Sequence, residues 1–142
     1  MNPAKSTAIY VLERNPIHNS LIKYHLNVNR FLNVQTFTSG NECLYRLQKG
    51  PQPDFLITEY ETGDHNGFDF MRKVKLHAPG SRIIFFSSYD DPILAVRLLD
   101  AGATDYISKT GKLDIGIKEL IKNLEFLIRE ELQARKVGLD LP

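Results

Sequence analysis

A chain of 142 residues is enough for one domain with a proper core and short for two. Hydrophobic residues at 42%, charged residues at 25% and a net charge of +1 write no strong pull toward nucleic acid or an anionic membrane into the chain. No apolar run is long enough to span a bilayer, the N-terminus has no signal-peptide core, and the lone Cys43 cannot close an internal disulfide, so the cytoplasm is the expected compartment.

In chain order, Ala8-Ile9-Tyr10-Val11-Leu12 is a continuous apolar run of strand length. Asn15-Pro16 opens a helix that carries Ile17, Leu21, Ile22 and Leu26, read as one apolar face. Val34-Gln35-Thr36-Phe37-Thr38 alternates like a strand. Ser39 then caps a helix with Cys43, expected half-buried, Leu44 and Leu47, which stops at Gly50-Pro51. Phe55-Leu56-Ile57-Thr58 predicts a third strand ending at Glu59. The loop Thr62–Gly67 leads into a helix with Phe68, Phe70, Met71 and Val74. Ile83-Ile84-Phe85-Phe86 predicts a fourth strand ending in Ser87-Ser88. Asp91-Pro92 starts a helix that runs to Asp100. Thr104–Lys109 is a short fifth strand, and a long helix follows from about Leu113 to about Arg135. Five strands alternating with five helices imply a doubly wound parallel sheet covered on both faces. The whole chain, 1–142, reads as a single domain, with its core at about 6–129 and a projecting helix end and tail at 130–142.

In such a sheet, ligands bind beyond the carboxyl ends of the strands. The residues there are Glu13, Arg14 and Asn15 after the first strand, Glu59 after the third, Ser87 after the fourth and Lys109 after the fifth. Strand ends become polar as they reach water, so each residue alone says little. Together they predict one cleft with two carboxylates, two cations and a hydroxyl. Asp54 and Asp64 lie away from the strand ends. The four histidines, His18, His25, His65 and His77, have no metal-ligand spacing and read as solvated surface. Asp64-His65-Asn66-Gly67 lacks the later positions of a calcium loop and reads as a turn. Glu13–His18 is not the Ser/Thr/Gly-rich loop that would hold flavin phosphate.

From about Ser6 to about Arg129 the chain resembles a response-regulator receiver domain. The matching stretches are Val11–Pro16, Pro53–Glu59 with Gly67-Phe68, Ile83–Ser88, and Ala101–Lys109, of which the Asp-Ala-Gly-Ala-x-Asp-Tyr run at 100–106 is the most specific. The resemblance implies a flavodoxin-like (βα)5 fold with strand order 2-1-3-4-5, here with an extended C-terminal helix. It implies a signalling module rather than an enzyme, with no catalytic residue of its own assigned. Its signalling partner would be a histidine kinase or an output protein. In the family, an aspartate ending the third strand accepts phosphate, two acids after the first strand help hold Mg²⁺, and a Ser or Thr, a Lys and a switching aromatic complete the set. Ser87, Lys109 and Tyr106 match, with Ser87 and Tyr106 as the switch pair, and Glu13 keeps the first acidic position. Glu59 stands at the phosphoacceptor position, and Arg14 replaces the second acid.

Three acids and one lysine sum to about −2 and call for a divalent cation. Glu13 and Glu59 offset by Arg14 and Lys109 sum to about zero, so Mg²⁺ binding is expected to be weak or absent and no cofactor is expected. Arg14 is expected beside Glu59 or Glu13 as an internal substitute for the metal. Glu59 also displaces its carboxylate by roughly 1.5 Å relative to aspartate. These departures predict a pseudo-receiver that acts by phosphorylation-independent protein contact, with Glu59 either imitating an acyl phosphate or belonging to a structural ion cluster. The alternative is a phosphoacceptor of a two-component relay with an altered acid site. A third possibility is a sensor for a small ligand in the same cleft. Thr110 follows Lys109 where many members of the family have proline, and a cis bond there would cost about 3 kcal/mol more than trans, so trans is expected.

Leu113, Ile117, Leu120, Leu124 and Leu127 form a stripe on the last helix, and a charged stretch from Arg129 to Lys136 follows it. Part of the stripe must pack on the sheet; the charged end is either a solvated tail or a dimer or linker helix. Homodimerisation through helix 4, strand 5 and helix 5 is expected. No nucleic-acid or membrane partner is expected, and no output domain is visible in the sequence.

Overall fold

The computed structural model describes residues 6–109 and 111–138. Five strands, β1 (Ala8–Leu12), β2 (Asn33–Phe37), β3 (Phe55–Thr58), β4 (Arg82–Ser87) and β5 (Asp105–Ser108), form one parallel sheet in the order β2-β1-β3-β4-β5. Five helices alternate with them: α1 (Pro16–Val28), α2 (Gly40–Lys49), α3 (Gly67–His77), α4 (Pro92–Asp100) and α5 (Leu113–Lys136). This is the flavodoxin-like arrangement with the expected strand order and a long last helix. None of the described helices is long and apolar enough to cross a membrane. The Lys109–Thr110 bond falls outside the described residues.

The helix starts follow from their side chains. Asn15 Oδ1 accepts the amides of Ile17 and His18, and Pro16 needs no hydrogen-bond partner at the first position. Ser39 caps α2 through Glu42 N–H, Asn66 caps α3 through Asp69 N–H, and Asp91 caps α4 through Ile93 and Leu94. The central strands are apolar on both sides because the sheet carries a core on each face. One core joins Ile9, Val11, Ile57, Ile84 and Phe86 to α1 and α5; the other joins Tyr10, Leu56, Ile83 and Phe85 to α2, α3 and α4.

Three sequence expectations need correction. On α1, Ile22 and Leu26 face the core, whereas Ile17 and Leu21 point to solvent and form an outer stripe with Tyr24 and Val28. The position that turns inward instead is Asn19, whose amide donates to the carbonyls of Glu13 (3.0 Å) and Phe37 (2.9 Å). Cys43 is fully buried rather than half-buried, and burial pushes its thiol up to about 12. The projecting end expected at 130–142 is seated at its first turn, while Arg135 to Gly138 are exposed and 139–142 lie outside the described residues. Leu127 and Ile128 pack against the core, and Glu131 reaches Arg82 at the start of β4, at 3.8 Å. Arg82 in turn lies over the Phe55 ring at 5.5 Å.

Candidate functional site

The parallel register brings the strand ends level. Leu12 pairs with Phe37 and Thr58, Thr58 with Phe85, and Ser87 with Ser108. The next residues of β1, β3 and β5, which are Glu13, Glu59 and Lys109, therefore meet Ser87 at one edge. Backbone bonds fix them there: Glu13 N–H donates to Phe37 O, Glu59 N–H to Leu12 O and Lys109 N–H to Ser87 O. All four side chains are buried, with Glu13 4%, Glu59 7%, Ser87 0% and Lys109 8% exposed.

Burying three charges costs free energy unless donors and opposite charges replace water. Here they do. Lys109 Nζ contacts Glu13 Oε1 and lies 2.9 Å from Glu59 Oε2, bridging the two carboxylates. Its ammonium also lies 5.3 Å from the centroid of the Phe86 ring. Ser87 Oγ donates to Glu59 Oε1 at 2.6 Å, Tyr60 N–H donates to the same oxygen at 2.9 Å, and Ser88 N–H reaches both oxygens at 3.2 and 3.1 Å. Glu13 Oε2 accepts Asn15 N–H at 2.9 Å. Each of the four carboxylate oxygens thus has a donor. No buried side-chain polar atom of the described residues lacks a partner.

Arg14 lines the mouth of the cleft, a cavity of about 350 Å³ shared with Asn15, His18, Glu61, Ser88 and Tyr89. It is exposed and makes no ion pair with Glu13 or Glu59; its guanidinium extends toward Gly63 in the β3–α3 loop. The expectation that Arg14 stands between the carboxylates is therefore corrected. Lys109 already spans both from the end of β5 and takes the place between them. Tyr106 lies beside Ser87, near enough to Glu59 for that charge to act on its hydroxyl. Its ring stacks on Phe85 (6.5 Å, 28°), its hydroxyl donates to the Tyr89 carbonyl, and burial raises its pKa.

Mg²⁺ is the group that this edge of the fold implies, and the residues do not fit it. A hard dication needs carboxylate oxygens free to coordinate. Here Lys109, Ser87 and three backbone amides engage them, and position 14 offers a guanidinium. Among the described residues no three His, Cys, Asp or Glu side chains gather as a metal site.

Residues 9–124 match the response regulator receiver domain. The chain belongs to this family. Among the relatives of this receiver is the DNA-binding transcriptional regulator NtrC of Azospirillum brasilense, 34% identical over 89 residues, which are 62% of this chain and 18% of that protein. Another is the Fimbriae Z protein of Salmonella typhimurium, 25% identical over 131 residues, 90% of this chain and 62% of that protein. The receiver thus spans less than two thirds of the length of either. A solved structure of a response regulator receiver domain protein (CheY-like) from Methanospirillum hungatei superposes with a TM-score of 0.76 at 18% identity, covering 89% of this chain and 97% of that one.

Sequence reasoning brought Glu13, Glu59, Ser87 and Lys109 together correctly. It missed Tyr60, Ser88 and Tyr89, because backbone amides and a ring contact leave no signal in residue type. It also placed His18 and His65 on the solvated surface. His18 lines the cleft, 4.0 Å from Glu13 Oε1, and His65 bonds Asn41 (2.9 Å) while lying 3.4 Å from Lys73 Nζ. Asp54 and Asp64 stay out of the cleft: Asp54 accepts Ala8 N–H at the far edge, and Asp64 accepts the first amides of α2.

Proposed function

We propose that this receiver is a phosphorylation-independent signalling module, a pseudo-receiver that acts through protein contact, with Mg²⁺ bound weakly or not at all. The observation that carries this reading is the set of donors on Glu59. Ser87, Lys109 and the Ser88 amide converge on a carboxylate that is already negative, so the donors that would hold an incoming phosphoryl group are occupied. Without a metal, phosphoryl transfer also loses its main charge stabilisation. The partner is a signalling protein, a histidine kinase or an output protein. The solvent stripe of Ile17, Leu21, Tyr24 and Val28 on α1 supports contact with such a partner, being apolar and aligned at helical spacing.

The test compares three proteins for Mg²⁺-dependent labelling by acetyl phosphate. The unaltered chain is expected to take up none. Glu59→Asp alone restores an acceptor but no second metal ligand, and is expected to stay unlabelled. Glu59→Asp with Arg14→Asp returns both and is expected to label. Labelling of the unaltered chain would favour the relay reading, in which Glu59 is itself the acceptor.

A further inference from the structure

The Tyr60 side chain belongs to none of the groups that the acid cleft needs, yet its ring sits at the centre of an aromatic cluster. It meets Phe68 edge-on at 6.1 Å, Phe85 at 6.5 Å and Tyr89 edge-on at 5.7 Å. These three rings come from α3, β4 and the β4–α4 loop. The seat exists because α3 begins with glycine: a Cβ on Gly67 would lie 2.4 Å from Tyr60 Cδ1 and 2.9 Å from Phe85 Cε1. The ring therefore fills a place that another residue at position 67 would close.

The loop that Tyr60 touches also covers Glu59. Ser88 N–H donates to both Glu59 oxygens, Tyr89 N–H donates to Ser87 Oγ at 3.1 Å, and the Tyr89 carbonyl accepts the Tyr106 hydroxyl. These bonds connect the backbone of the loop to the cleft, while the Tyr89 side chain is 45% exposed and has the Tyr60 ring as its aromatic partner. Tyr60 is covalently next to Glu59 and donates its own N–H to that carboxylate. One residue thus links the carboxylate, the start of α3 and the loop that leads into α4.

We propose that Tyr60 is a positioning residue, a wedge seated on Gly67 that holds Tyr89 and the β4–α4 loop closed over Glu59. The loop, and with it the first turn of α4, is kept in one arrangement by packing rather than by a bound group. The inference concerns loop order alone, so it stands or falls separately from the labelling experiment above.

Amide hydrogen exchange on the full chain tests it. Tyr60→Ala is expected to speed exchange at Ser88 and Tyr89 by on the order of tenfold, with the amides of β1 and β3 unchanged. Tyr60→Phe keeps the ring and is expected to match the unaltered chain. Gly67→Ala keeps the ring but takes its seat, and is expected to reproduce the local loosening. Should Tyr60→Ala fail to fold, Tyr60→Leu carries the same expectation, since it keeps volume without an edge-on ring. Unchanged exchange at Ser88 and Tyr89 in the ring-removing variant, or an equal rise across all strands, would overturn the proposal. So would loosening in Tyr60→Phe.

Discussion

Lys109 is the residue on which the cleft depends most. Among the described residues it is the one cation in contact with both Glu13 and Glu59, and all three are buried. Lys109→Met leaves two carboxylates facing each other out of water and is expected to cost about 3–5 kcal/mol in urea unfolding. Adding Glu13→Gln and Glu59→Gln removes the stranded charges and is expected to recover most of that loss. A cost under about 1 kcal/mol for Lys109→Met would mean that the pair is solvated. Asp64 is a second residue with a directional consequence. Burial raises its carboxyl, but the Asn41 amide, the Thr62 hydroxyl, the Gly40 amide and His65 together outweigh that and hold its pKa below the ordinary 3.8. A depressed folded-state pKa gives stability that is present above the unfolded value and lost as pH falls through the folded one. The stability difference between the unaltered chain and Asp64→Asn is therefore expected to be constant from about pH 5 to 7 and to shrink below about pH 4. A difference that persists into stronger acid would contradict the assignment. At this scale the sequence was legible where chemistry resides in residue type, as with Glu59 and Lys109. It was not legible where a side chain such as Arg14 had two directions to take.

Among the elements, α5 shows what periodicity can and cannot say. Its stripe of Leu113, Ile117, Leu120, Leu124 and Leu127 was legible as a packing face, and it packs on the sheet. In the next turn Glu131 pairs with Arg82, a partner far earlier in the chain that no local pattern reports. The Arg82–Glu131 pair is about a third exposed on each side, so it is weak and open to screening. Arg82→Ala is expected to raise amide exchange at 128–136 by a few-fold at low salt, with the effect fading toward about 0.5 M salt. No effect of the substitution would assign the seating to Leu127 and Ile128 alone. The α1 helix gives the complementary lesson. Its apolar residues lie on two sides, and a helical period alone does not say which side the sheet takes. The buried Asn19 settles it, since only there can its amide satisfy the carbonyls of Glu13 and Phe37.

For the whole molecule, alternation of apolar runs with helical segments made the fold readable, because the central strands of a doubly wound sheet must be apolar on both faces. Assembly was less readable. The α5 stripe that suggested self-association is used inside the domain, so the proposed dimer through α4, β5 and α5 rests instead on the exposed Ile93, Val96 and Leu99 of α4. Sedimentation at high micromolar concentration is expected to show a dimer that Val96→Glu dissociates; a monomer in the unaltered chain would remove the proposal.

We propose that Lys109, by bridging Glu13 and Glu59, holds the acid cleft together without a divalent cation. This is tested most directly by titrating the unaltered chain with Mg²⁺ while following the amide resonances of Ser88 and Lys109. No saturable shift is expected in the millimolar range. Saturation near millimolar Mg²⁺, centred on Glu13 and Glu59, would contradict it.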